Sequence, residues 1–230
     1  VSFVGAGSCV LDATQPGDVN YNASVLVQQV FSVGAGTQTI VFTTAAPGGA
    51  QVDGATYSPA AVASPSGLPV NISVDASAAS VCSMDGGVVS FIGVGTCFLN
   101  ANQAGNGNYS AATQVQQSFP VAKGSQVLTF TSPAPVDAVV EGVSYTPIAS
   151  SSSLLAVAIT VDASSGGVCS MSGGIVSFQG AGSCVLNANQ GGNVNYNAAV
   201  QVQQIISVGK GSQTVAFTSA APGSAAVGGA

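Results

Sequence analysis

The sequence predicts an all-β chain of tandem Greek-key β-sandwiches, with about seven short strands in each repeat of 87–88 residues. Three observations carry that expectation. One block of sequence returns three times: Cys9, Cys97 and Cys184 stand 88 and 87 residues apart, each inside Ser-Phe-x-Gly-x-Gly-[Ser/Thr]-Cys-x-Leu-x-Ala. A period that long describes whole small domains that close their own cores, where solenoids repeat every 20–50 residues or so. Apolar residues also alternate with period two in segment after segment, and no stretch of ten residues holds the 3.6 period of a helix. Gly, Pro, Ser and Asn clusters punctuate those segments at the spacing of a sandwich.

Taking Gly36-Thr37-Gln38, Gly124-Ser125-Gln126 and Gly211-Ser212-Gln213 as repeat starts divides the chain four ways. Residues 1–35 read as the end of one repeat, 36–123 and 124–210 as complete repeats, and 211–230 as the start of another. The chain therefore reads as a stretch of a longer tandem array. Within a repeat the opening strand sets Ile40 and Phe42 on one side, with Leu128 and Phe130, and Val215 and Phe217, as counterparts. A second strand runs from Tyr57 toward Val62. The third, Val70-Asn71-Ile72-Ser73-Val74-Asp75, matches Val157 to Asp162 and turns a β-branched face inward. After Cys82 a short strand turns at Asp85-Gly86-Gly87, or Ser172-Gly173-Gly174, into Val88-Val89-Ser90-Phe91, with the glycine pair supplying the positive φ of a tight hairpin. The next strand places Cys97, Leu99 and Ala101 on one face. The last holds Val115, Gln117, Phe119 and Val121, and Pro120 within it belongs at an edge or a bulge because it cannot donate to a ladder. Gln117 shares a face with Phe119, which leaves a bulge or a buried amide with local partners. The link Val121-Ala122-Lys123-Gly124-Ser125-Gln126 joins successive repeats with few residues free to flex, so a semi-rigid string is expected.

Composition excludes several function classes. Charged residues make up 4% of the chain against roughly 25% in average soluble proteins, with no His, no Trp, two Lys and a net charge of −6. Nothing there neutralises phosphates, so nucleic acid is excluded as a partner. No apolar run approaches the ~18 residues that span a bilayer, so direct membrane insertion is not expected. For catalysis, no carboxylates pair at a shared spacing and the many serines lack a base to activate them; the expectation is no enzyme and no cofactor.

The cysteines follow the repeat. Cys82 precedes Cys97, and Cys169 precedes Cys184, by 15 residues, which puts the partner of Cys9 before residue 1. Pairs Cys82–Cys97 and Cys169–Cys184 favour an oxidising compartment, extracellular or cell-surface. Buried free thiols are the alternative reading; a zinc site fails for want of His and of further cysteines.

The Gly-Ser-Gln-x-x-x-Phe-Thr opening, the Val-Asp-Ala-Ser strand end, the Ser-Val-Cys-Ser hairpin, the Ser-Phe-x-Gly-x-Gly-x-Cys stretch and the Gly-Asn-x-Asn-Tyr-x-Ala turn together resemble the bacterial immunoglobulin-like tandem repeats of large cell-surface, adhesin-type proteins. The resemblance covers the whole chain and rests on structural motifs. It implies an immunoglobulin-like sandwich, export, and a stalk or fibre, and it brings no catalytic residues. The chain departs from animal immunoglobulin domains in lacking the buried Trp and in spacing its cysteines 15 apart, too close for the usual inter-sheet bridge across most of the domain.

Several residues invite a site. Asp75, Asp162 and Asp85 could furnish calcium ligands, but Asp85 is replaced by Ser172 in the next copy, and Asp53 has only a loose counterpart near Asp137; turn capping is the plainer role. Lys123 and Lys210 invite an isopeptide link, yet Ala35 stands at their position in the first copy. The acceptor patterns at Asn22, Asn71 and Asn108 do not recur at matching places in every copy. Tyr21, Tyr109 and Tyr196 recur inside the Asn-Tyr turns and are the candidate contacts, toward a sugar or a neighbouring chain, or simply as rings that cover the end of their own sandwich. Composition and repeat point to a structural extracellular region, a semi-rigid stalk or surface filament, whose partners are neighbouring repeats and identical chains. The alternative is a multivalent module in which each repeat contacts a host receptor or glycan.

Overall fold

A computed structural model describes residues 1–221, 223–225 and 227–228. The chain divides into two compact units: Val1–Gly124 together with Val194–Tyr196, and Ser125–Asn193 together with Asn197–Ala230.

The first unit opens with the antiparallel hairpin β1 (Gly7–Ala13) and β2 (Val27–Val33), and continues with seven strands. These are β3 (Thr39–Phe42), β4 (Ala61–Ser64), β5 (Asn71–Val74), β6 (Cys82–Asp85), β7 (Val88–Phe91), β8 (Gly95–Asn102) and β9 (Val115–Val121). One sheet has the order β5-β8-β9, so β5 pairs with a strand three places later in the chain. The segment Ala50–Val52 extends that sheet by a parallel bridge between Gln51 and Ala122. The facing layer joins β3-β4 to the β6-β7 hairpin through an antiparallel bridge between Tyr57 and Val89. Non-consecutive pairing across two layers makes this an immunoglobulin-like Greek-key sandwich.

The alternation in the sequence sets what is buried. Ile40, Val89, Phe91, Cys97, Leu99, Phe119 and Val121 are all at most 4% exposed and form the core, while their chain neighbours Val41, Val88 and Ser118 face out. Phe119 packs edge-on against both Tyr57 and Phe91, with ring centroids 5.7 and 5.8 Å away. Gly86 and Gly87, at φ 54° and 81°, form the two-residue turn between β6 and β7, where a side chain at both positions would be strained. Pro120 lies opposite Thr96 in an unbroken register with its ring outward, so β9 carries no bulge. Gln117 is the amide with local partners: its Nε2 donates to Thr44 O at 3.0 Å and its Oε1 accepts from the Tyr57 hydroxyl at 2.8 Å.

The second unit repeats the scheme with β10 (Leu128–Phe130), β11 (Ala149–Ser151), β12 (Ala158–Val161), β13 (Cys169–Ser172), β14 (Ile175–Phe178), β15 (Gly182–Asn189) and β16 (Val202–Val208). Its sheet order is β12-β15-β16, and Val139 forms a parallel bridge to Gly209. Leu186, Val176 and Ile206 are its most deeply buried large side chains.

Two expectations need correcting. The strand expected around Val215 and Phe217 does not form: both residues are almost fully exposed and no strand is assigned to 211–221. The two opening strands are held by partners further on, Thr39 by Ser64 and Leu128 by Ser151, and among the described residues no segment takes that place for 213–217. Residues 222, 226, 229 and 230 of the stretch 211–230 lie outside the described residues. The cysteine spacing also does not forbid an inter-sheet bridge. Cys82 opens β6 in one layer and Cys97 lies on β8 in the other, joined with Cα atoms 5.8 Å apart. Because the β6-β7 hairpin turns within two residues, 15 residues suffice to cross between layers. Cys169 and Cys184 are joined in the same way between β13 and β15, with Cα atoms 5.7 Å apart.

Candidate functional site

The site is built from the Asn-Tyr turn that links the last two strands of a repeat. In the first unit, Gln103 just past β8 turns its amide oxygen onto the Gly105 N–H, and Asn106 Oδ1 accepts from the backbone N–H groups of Asn108 and Tyr109 at 2.8 and 2.9 Å. Gly105, at φ 77°, sits so close to the Tyr109 and Ser110 backbone that a Cβ would collide with it. The turn is thus held by contacts among residues 103–110 themselves.

The turn presents two groups outward. Asn108 Oδ1 accepts from the Ala6 N–H at 3.0 Å, in the segment just before β1. Its backbone and that of Ser110 clasp Gly36: Gly36 N donates to Asn108 O at 2.8 Å, and Ser110 N donates to Gly36 O at 2.9 Å. The Tyr109 ring packs against Gly36, where a Cβ would stand 3.3 Å from Cδ1 and Cε1. Residues 3–6, 33–34 and 36 with Asn108 and Tyr109 line a shallow cleft around this clasp.

The same geometry occurs a second time inside the first unit, which includes Val194–Tyr196. Val94 N, the counterpart of Ala6, donates to Asn195 Oδ1 at 3.1 Å, and Gly124 N donates to Asn195 O at 2.9 Å. A Cβ on Gly124 would again stand 3.3 Å from Cδ1 and Cε1 of the tyrosine, here Tyr196. One contact is added: the Tyr196 hydroxyl donates to Asp53 Oδ2. That hydrogen bond, then burial, then the charge of Asp53 push the Tyr196 hydroxyl above its ordinary value.

Tyr21, the third tyrosine, stands 75% exposed in a turn folded like the other two, with Asp18 Oδ1 accepting from the N–H groups of Asn20 and Tyr21 at 2.8 and 3.0 Å. Cys9, at the position of Cys97 and Cys184, carries no disulfide.

The aspartates act as caps. Asp75 Oδ1 accepts from the Ser77 N–H at 2.9 Å and the Ser77 hydroxyl at 2.6 Å, and Asp75 Oδ2 accepts from Asn100 Nδ2 at 2.7 Å. The Ser77 hydroxyl, the Asn100 amide and the Ser77 N–H hold Asp75 at about 2, and Ser164 and Asn187 do the same to Asp162. Among the described residues no group of three or more His, Cys, Asp or Glu comes together. Asp85 ends β6, exposed, while Lys123 and Lys210 are exposed beyond the last strands of their repeats.

Asp53 has a firmer counterpart than the region of Asp137. Asp53 N donates to Phe91 O and Glu141 N to Phe178 O, and both residues have positive φ, at 54° and 58°. Position by position they are equivalent, and both are acidic. Sequence reading missed this pair because the residues between Gln38 and Tyr57 hold few shared letters. The signal was present in Gln-Val-Asp-Gly against Val-Val-Glu-Gly. A second polar feature was also passed over. Gln38 and Gln126, each 7% exposed, donate to Gln103 Oε1 and Ser110 O, and to Gln190 Oε1 and Asn197 O, tying the start of each repeat to its Asn-Tyr loop.

No family model matches the chain, and no curated protein matches its sequence. Among solved structures it is similar to Sidekick-1 immunoglobulin domains 1–5, at 16% identity and a TM-score of 0.35 over 89% of this chain and 46% of that one. It is also similar to the surface-layer protein SbsC, domains 1–6, at 12% identity and 0.32 over 90% and 32%. Drosophila N-cadherin EC1-3 matches at 11% identity and 0.27 over 75% and 68%. At these TM-scores the likenesses carry no argument, and the fold rests on the strand pairing.

Proposed function

We propose that this chain is part of a structural repeat region of a bacterial adhesin-type surface protein, a semi-rigid stalk or filament outside the cell whose repeats run 36–123 and 124–210. The observation that supports this reading is the Asn-Tyr clasp, made twice with hydrogen bonds that agree within about 0.1 Å. It ties each turn to the backbone around Ala6 and Gly36, or Val94 and Gly124, rather than leaving it open to a small ligand. The disulfides belong with an oxidising environment and with resistance to stretching. Low charge leaves few sites for proteases that cut after Lys or Arg.

Single-molecule stretching of the chain tests the mechanical role. With the disulfides closed, the 15-residue span between Cys82 and Cys97, and between Cys169 and Cys184, is withheld from extension. Reduction is expected to lengthen each repeat's unfolding step by about 5 nm, at ~3.5 Å per residue. A chain that unravels gradually without discrete steps would sink the stalk reading. Tight binding of the isolated chain to a glycan array or to host-cell surfaces would favour the multivalent module instead.

A further inference from the structure

The Asn108-Tyr109 turn has one residue that the matching turns lack. Asn106 is followed by Gly107, the single Asn-Gly pair in the sequence, where the equivalent places read Asp18-Val19 and Asn193-Val194. The turn does not need that glycine. Gly107 has no positive φ, a Cβ built on it would meet nothing within 4 Å, and Val19 stands 96% exposed in a turn with the same hydrogen bonds. What the glycine changes is chemical: it leaves its own amide nitrogen unshielded and its backbone free to turn toward the side chain of Asn106. Both residues are exposed to water. Asn106 Oδ1 accepts from the N–H groups of Asn108 and Tyr109, so two donors already sit at the oxygen where negative charge develops when Cγ is attacked.

We propose that Asn106 is a site of spontaneous deamidation, a covalent modification confined to this copy of the turn. The Gly107 nitrogen bonds to Asn106 Cγ as the Cγ–Nδ2 bond breaks; the Gly107 N–H proton ends on the departing nitrogen, which leaves as ammonia, and a cyclic imide remains. Water then opens the imide at either carbonyl, so the step needs no oxidant, reductant or enzyme. The two products differ in consequence. Aspartate at 106 keeps the turn, since Asp18 Oδ1 accepts from the N–H groups of Asn20 and Tyr21 at 2.8 and 3.0 Å where Asn106 accepts at 2.8 and 2.9 Å. Isoaspartate runs the main chain through Cγ, which lengthens the turn and displaces the oxygen that caps the Asn108 and Tyr109 N–H groups. The clasp this turn makes, Gly36 N–H on Asn108 O and Ala6 N–H on Asn108 Oδ1, is then released, while the clasp of Asn195 on Val94 and Gly124 is kept. This modification goes beyond the stalk reading and does not depend on it.

Incubation of the full chain in warm, mildly alkaline buffer, followed by peptide mapping in a mass spectrometer, tests the site. Asn106 is expected to gain the mass of an amide-to-acid exchange about tenfold or more faster than Asn193, whose neighbour Val194 is β-branched and crowds its own nitrogen. Gly107→Val copies the other turns and meets no steric obstacle, and it is expected to abolish the gain at 106. Isoaspartate is read separately, by its labelling with a protein isoaspartate methyltransferase. Release of the clasp is read by hydrogen exchange at the Gly36 and Ala6 amides, which is expected to be faster in the aged chain and unchanged in Asn106→Asp. Equal rates at Asn106 and Asn193, or a gain at 106 that survives Gly107→Val, would overturn the assignment of the site. Slow exchange at Gly36 in a chain that carries isoaspartate at 106 would overturn the release of the clasp.

Discussion

In β1-β2 the paired residues run from Gly7↔Val33 to Ala13↔Val27, and in β8-β9 from Gly95↔Val121 to Ala101↔Val115. Cys9 and Leu11 occupy the places of Cys97 and Leu99, opposite Phe31 and Gln29 rather than Phe119 and Gln117. Even the ring contact at the end of the ladder is kept: Phe3 meets Phe31 edge-on at 5.7 Å, as Phe91 meets Phe119. What differs is the cover. Cys97 and Leu99 are fully buried beneath β3 to β7, while Cys9 and Leu11 remain partly exposed and Gln29 faces solvent. The ladder and its register are the same in both, and the apolar face is a core where the facing layer closes over it.

The most forceful way to break that comparison is to delete the same side chain from both ladders. Leu99→Ala removes a side chain at 0% exposure and is expected to cost the first unit about 4 kcal/mol, the transfer term plus a cavity its neighbours only partly fill. Leu11→Ala removes the same atoms from a half-covered face and should cost below about 1 kcal/mol. Urea unfolding followed by the fluorescence of the tyrosines would measure both. Equal losses would mean that β1-β2 is covered in solution by something the isolated chain does not provide, such as a second copy.

Next in size is the bridge. Cys82→Ala opens a link between the two layers and is expected to lower the stability of the first unit by about 3 kcal/mol, the value of a closed loop of this length. Cys9 has no such partner. In native buffer a thiol reagent should therefore modify one cysteine per chain, Cys9, and only after reduction and unfolding should all five react. Two or more fast-reacting thiols in the native chain would refute the pairing.

These contrasts bear on what a reader of the sequence could see. Period two and the glycine pairs gave the strands and the β6-β7 turn, because each is decided by residues a few places apart. The fate of Gln117 could not be read that way. Its partners Thr44 and Tyr57 lie some 60 to 70 residues back, and only closure of the two layers brings them to it. The strand expected at Val215 and Phe217 failed for a similar reason, since alternation marks a segment as able to pair but does not supply the partner. At the candidate site, recurrence singled out the tyrosines, but the donors Ala6 and Val94 are changeable in side chain because only their N–H groups take part. Repetition of letters cannot reveal a backbone contact.

The smallest expected effect is electrostatic and again separates the two ladders. On β8, Asn100 donates to Asp75 and accepts from Gln116 at 3.0 Å; on β1 the same place is Asp12, which accepts from Gln28 at 2.8 Å and has no hydrogen to give a carboxylate. The capped aspartates are Asp75 and Asp162. Asp75 and Asp162 lie at about 2 in the folded chain, below the ordinary 3.8. A carboxyl whose folded value is depressed contributes stability that is whole above the unfolded value and is lost as pH falls toward the folded one. Both repeats should therefore hold their urea midpoints from pH 7 down to about 4 and lose stability between there and pH 2, by a modest amount because the groups are solvated. Asp75→Asn combined with Asp162→Asn should flatten that acid limb while leaving the neutral-pH midpoint lower. An acid limb of the same slope in the double variant would assign the loss to other carboxylates and remove these caps from the account of stability.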